Sequence, residues 1–161
     1  MSYTIDIQND SHYLIDAERL QQAMTTVLNQ HEVDRASNVT IVFTDNDAIQ
    51  KLNLQHRQTD APTDVLSFPA DALPDYITDE PPYLGDLVIA YPYASLQAQK
   101  HHHLLSDSLC LLVIHGTLHL LGYDHDTPEN RAEMWSAQAD GLQAMGIDTQ
   151  IVPALEGNPD D

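Results

Sequence analysis

At 161 residues, 42% of them apolar, the chain is long enough to bury one hydrophobic core and too apolar to be disordered. Six Lys and Arg against 25 Asp and Glu leave a formal charge of −19, a surface that repels polyanions and anionic membranes at long range. A single cysteine excludes an intramolecular disulfide, and no apolar run approaches the length needed to span a bilayer.

Met1 to Ile7 carries neither a basic nor an apolar signal region, so a cytoplasmic location is expected. Tyr3 to Gln8 alternates around β-branched residues and predicts a first strand. From Asp16 to Gln30, Ala17, Leu20, Met24, Val27 and Leu28 recur at helical spacing, with Asp16 as N-cap. Asn38 to Thr44 alternates again and predicts a second strand, after which Asp45 caps a helix containing Ile49, Leu52 and Leu54. A polar loop then leads into a short strand, Val65 to Phe68, and places Arg57, Thr63, Asp64 and Ser67 near that transition. Thr63 and Asp64 read as residues bracing the loop, whereas Arg57, one of only six cations, reads as functional.

Asp71 to Tyr83 is rich in acid and proline and predicts an exposed loop. Gly85 to Tyr91 predicts a strand ended by Pro92, followed by a helix from Tyr93 to His103. Lys100-His101-His102-His103 reads as a solvated, weakly cationic helix end rather than a second metal cluster, because adjacent helical residues point in different directions. Ser106 or Asp107 is the expected cap of the next helix, whose run Leu109 to Ile114 is aliphatic enough to be buried. Thr127 as N-cap and Pro128 in the first turn open the last helix, with Met134, Ala137 and Leu142 as its apolar stripe, Trp135 beside it and Gly146 at its end. The expected domain covers residues 1–146, and residues 147–161 read as an acidic C-terminal tail. The fold class is α+β, a small mixed β-sheet of about four strands packed against about five helices with the metal-bearing helix central.

That helix carries His115-Gly116-Thr117-Leu118-His119-Leu120-Leu121-Gly122-Tyr123-Asp124-His125. Residues four apart share one helix face, separated by about 6 Å of rise, so His115 and His119 can aim two imidazoles at one spot. Gly122 can end the helix in a left-handed residue and bring His125 back to the same place. Three neutral imidazoles with one position open form a catalytic zinc ligand set, whereas structural zinc sites are usually four-coordinate and rich in Cys. A lone His on an apolar face is usually a core residue, but three with a helix-ending glycine between the second and third are hard to produce by chance. Cys110, five residues before His115, reads as core.

The spacing His-x3-His-x5-His is also that of metzincin zinc proteases. Those enzymes need a Glu directly after the first His, and here Gly116 stands there, which disfavours peptide hydrolysis by that route. A metal can still activate water and polarise a phosphoryl oxygen without that Glu. A phosphodiester substrate would want a cation to meet its developing charge, and Arg57 is the natural candidate.

The block His115 to His125 resembles the signature of the YbeY family of bacterial endoribonucleases and rRNA maturation factors. The similarity extends to Arg57 with Thr63-Asp64-Val65-Leu66-Ser67-Phe68-Pro69, to Gly85-Asp86, and to Glu129 and Met134, covering roughly residues 38 to 146. The resemblance implies a single-strand-specific, metal-dependent endoribonuclease acting in 16S rRNA 3′-end maturation and late ribosome quality control. Its partners would be single-stranded rRNA and the small ribosomal subunit with its proteins. His115, His119 and His125 carry over as ligands of one Zn2+ per chain, and Arg57 as the basic residue lining the cleft, so that Arg57 and His115 are the expected catalytic residues. Asp86 falls at a matching acidic position with no role assigned, and Asp124 could orient a ligand imidazole or cap the turn. Two alternatives stay open. One is a non-catalytic ribosome-assembly factor with a structural zinc site, whose acid surface suits docking to basic ribosomal proteins. The other is a zinc protease or amidase.

Overall fold

The structure, a computed structural model, describes residues 3–71 and 80–151. In chain order the elements are β1 (Thr4–Gln8), α1 (Ala17–Gln30), β2 (Asn38–Thr44), α2 (Asn46–Arg57), β3 (Val65–Pro69), β4 (Tyr83–Ala90), α3 (Tyr91–Lys100), α4 (Leu105–Leu120) and α5 (Pro128–Ala144). This is the α+β fold expected, with a four-stranded mixed sheet in the order β1-β2-β4-β3. The first three strands of that order run parallel, and β3 runs antiparallel to β4 at the edge. Most of the loop between β3 and β4, and residues 152–161 of the acidic tail, lie outside the described residues.

The sheet is covered unequally. On one face α1, α4 and α5 enclose the main core, built on Leu20, Met24, Leu28, Ile41, Leu87, Ile89 and Ile114. On the other face α2 covers a smaller cluster of Ile49, Leu66, Val88 and Ala90. Strand alternation makes this division, since Leu87 and Ile89 serve one face while Val88 and Ala90 serve the other. Helix α4 is buried continuously from Leu109 to Leu118 and packs on α1, α3, α5, β3 and β4. A helix apolar on all sides must be enclosed, which makes α4 the centre of the molecule.

Two glycines set close approaches around α4. A Cβ on Gly116 would meet Leu87 Cδ2 at 2.8 Å and Ser67 Oγ at 3.2 Å, so a bare backbone lets α4 press onto the sheet. The Ser67 hydroxyl donates to the Gly116 carbonyl at 3.1 Å across that seam. Gly85 has φ +135°, and a Cβ there would lie 2.3 Å from the Phe68 carbonyl, which accounts for the glycine of the Gly85-Asp86 pair by backbone geometry.

Several boundaries depart from expectation. Asp16, Asp45 and Thr127 cap their helices through side-chain oxygens, as read from the sequence. The cap of α4 does not follow. Leu104 occupies that position without a side-chain bond, and Ser106 and Asp107 sit inside the first turn. There the Arg19 guanidinium donates to Ser106 Oγ at 2.6 Å and to Asp107 Oδ1 at 2.7 Å, tying α1 to α4. Helix α3 begins at Tyr91 rather than Tyr93, because Pro92 lacks only an N–H that a first helical turn leaves unused. The body of the domain also continues past Gly146, since Ile147 and Ile151 are buried in the main core.

Candidate metal centre

His115 and His119 stand one turn apart on α4, which stops at Leu121. Gly122 follows with φ +100°, a conformation that glycine adopts without strain, and returns the chain so that His125 faces the other two. Ring centroids lie 4.8 Å apart for His115 and His119, 5.7 Å for His115 and His125, and 5.1 Å for His119 and His125. One nitrogen from each ring lies within 4.8 Å of the others. His115 is fully buried, while His119 and His125 are half-buried.

Hydrogen bonds determine which nitrogen each ring presents. His119 Nδ1 lies 3.0 Å from the Tyr123 carbonyl, and His115 Nδ1 lies 2.9 Å from Gln138 Oε1. A carbonyl or amide oxygen only accepts, so both rings carry hydrogen on Nδ1 and keep Nε2 as the lone-pair nitrogen. Nε2 of His125 is buried with no hydrogen-bond partner among the described residues. Burial, with His119 beside it, holds the His125 imidazole below its ordinary value and keeps it neutral. A buried imidazole nitrogen without a partner, beside two rings already set to present theirs, fits a metal ion. Among the described residues the group has three ligand side chains, as a site with an open position requires.

The surroundings separate neighbours from ligands. Trp135 on α5 places its ring edge-on to His115 at 5.8 Å and to His125 at 5.6 Å, and the Arg131 guanidinium covers that ring at 4.9 Å. Asp124 accepts from the His125 backbone N–H at 2.8 Å, so of its two readings the structure shows the turn cap. Cys110 is wholly buried in the core, where burial pushes its thiol up to about 11.

Arg57 sits on a different element from the three histidines. It is the last residue of α2, half-buried, and α2 covers the sheet face opposite α4. Strand β3 presents Ser67 to Gly116 on one face and Phe68 to the His56 ring, at 4.6 Å, on the other. Thr63 and Asp64 are buried braces: Asp64 Oδ1 accepts from the Val65 N–H at 2.9 Å. Asp86 accepts from the Tyr83 hydroxyl, which also reaches Thr40 Oγ1 at 2.8 Å, on the face away from α4. Lys100 to His103 are exposed, as a solvated helix end should be.

Gln138 escaped the sequence reading although a signal was present. It lies four residues after Met134 and four before Leu142 on the buried stripe of α5, where a polar side chain must find a partner. A surface groove of about 910 Å³ lies between α1 and α5, with none of the three histidines in its lining. Its lining includes the carboxylates Glu133 and Asp140, which would repel a phosphate backbone.

Comparison with known proteins matches residues 5–146 to the family model described as Endoribonuclease YbeY. Similar proteins of that name occur in Chloroflexus aurantiacus, 36% identical over 91% of this chain and 98% of the relative, and in Roseiflexus, 39% identical over 89% and 94%. The Bifidobacterium longum protein of the same name is 39% identical over 98% of this chain and 90% of its own. Among solved structures, the solution structure of TM1509 from Thermotoga maritima superposes with a TM-score of 0.54 at 21% identity, covering 96% of this chain and 99% of that one, a likeness of fold.

Proposed function

The chain belongs to the YbeY endoribonuclease family, and on that premise we propose that it is a metal-dependent endoribonuclease that cleaves single-stranded RNA. The metal is one Zn2+ per chain. The RNA is small-subunit ribosomal RNA, cut in 3′-end maturation and late ribosome quality control in the cytoplasm. The observation that carries the reading is the buried, unpartnered Nε2 of His125 beside two imidazoles whose hydrogens are already turned away.

A divalent ion bound there supplies Lewis acidity toward a phosphodiester oxygen. The chain's own groups do the rest. Tyr123 and Gln138 keep the rings of His119 and His115 in the ligating tautomer, and Trp135 stands edge-on to His115 and His125. Arg57, the last residue of α2, is the basic group of the cleft and steadies a phosphate of the bound RNA by a charge-assisted contact. No helix among the described residues is long and apolar enough to cross a membrane.

The net charge of −19 favours a second reading, a ribosome-assembly factor that binds basic ribosomal proteins and whose zinc is structural. Metal content per chain, measured alongside cleavage of a single-stranded RNA with and without chelator, tests the first. Arg57→Ala with full zinc content should abolish cleavage. If that variant still supports normal rRNA maturation, the binding reading replaces the enzyme. Analysis of the cleaved ends identifies the nucleophile, since a 2′,3′-cyclic phosphate excludes direct attack by water.

A further inference from the structure

We infer that Gln138 is a positioning residue for the metal centre, selecting the tautomer and ring orientation of His115 from a different helix. The inference rests on the proposed metal reading and assigns a role to a side chain outside the ligand set. Gln138 is 2% exposed, and its Oε1 lies 2.9 Å from Nδ1 of His115, itself 1% exposed. Neither group has water to fall back on, so loss of the pair leaves a buried N–H unsatisfied. The acceptor at Nδ1 favours the tautomer with its hydrogen there, whereas the tautomer protonated on Nε2 has no lone pair on that nitrogen for a metal.

The arrangement differs from that at His119, whose acceptor is the carbonyl of Tyr123 four residues further along the same segment. The backing of His119 is therefore local, whereas that of His115 spans twenty-three residues and arrives from α5. Both acceptors are neutral. A carboxylate in either place would add negative charge behind the ligand in a protein already at −19, and so oppose the approach of a phosphodiester. A neutral amide orients the ring without that cost.

Zinc affinity of the full chain, measured by competition with a chromophoric chelator in the absence of RNA, tests the inference. Gln138→Met keeps the length of the side chain and removes the acceptor, and should weaken zinc binding about ten- to a hundredfold. Gln138→Glu restores an acceptor and should bind at least as tightly as the wild type. Equal affinity of Gln138→Met and wild type overturns the role, as does a Glu variant no better than the Met variant. A long-range proton–nitrogen NMR spectrum of the metal-free wild type gives an independent reading that needs no variant to fold. It should show His115 protonated on Nδ1, and protonation on Nε2 overturns the inference. A wild type that binds no zinc overturns the metal reading instead, and leaves the tautomer result to stand on its own.

Discussion

Gly116 presses against Leu87 so closely that a Cβ on the glycine would stand 2.8 Å from Leu87 Cδ2. The position directly after His115 therefore faces the sheet, where Leu87 is fully buried and has no room to retreat. Metzincins hold their general base at this spacing, and here the side chain would be driven into the core. Gly116→Ala should destabilise the fold by about 1–3 kcal/mol, read as a lower urea midpoint in the metal-free protein. Gly116→Glu should yield no peptidase activity, and a soluble variant that cleaves peptides would count against this geometry.

Trp135 is the chain's single tryptophan and touches two of the three candidate ligands. Its emission should change as zinc is added to the metal-free protein and should saturate at one equivalent. In His119→Ala the change should weaken and lose its sharp end point. A flat titration of a wild type shown separately to bind zinc would mean that the ring does not border the ion.

The ion pair between Arg19 and Asp107 couples α1 to the first turn of α4 through side chains about one-quarter exposed. Arg19→Met should cost about 1 kcal/mol of stability, and the difference should shrink in high salt. The hydrogen bond to Asp107 raises the guanidinium above its ordinary value. The stabilisation is thus complete below the unfolded value and is lost only as pH climbs through the folded one. Thermal scans between pH 7 and about 10 should show the same gap between variant and wild type.

Cys110 should resist iodoacetamide in the native protein, because its thiol is buried and raised from 9.0 to about 11. The linkage has a definite sign. Above about pH 9 the unfolded chain releases the thiol proton while the folded chain retains it, so stability falls as pH rises through that window. In urea unfolding, the loss between pH 8 and 10 should be smaller for Cys110→Ala than for the wild type.

Local chemistry was legible wherever a residue acts on its own neighbours. Asp16, Asp45 and Thr127 cap helices by reaching three residues ahead, and Gly122 ends α4 by its own backbone angle. The three histidines share a segment, so their convergence could be read from spacing. Features that depend on distant partners could not. Ser106 and Asp107 look like caps until Arg19, nearly ninety residues away, is found holding both. The insertion of β4 between β2 and β3 leaves no local mark. Ile147 and Ile151 were hidden in an acidic stretch where composition outweighed two isolated apolar residues.

The dependence of His115 on a residue of α5 has a consequence for biosynthesis. A ribosome that has translated as far as β4 has made the whole sheet, and yet not one imidazole of the triad. Even a nascent chain that includes His125 still lacks the amide that orients the first ring, because Gln138 follows thirteen residues later. The hydrogen bond that orients the first ring can therefore form only once the last helix has been made and has docked.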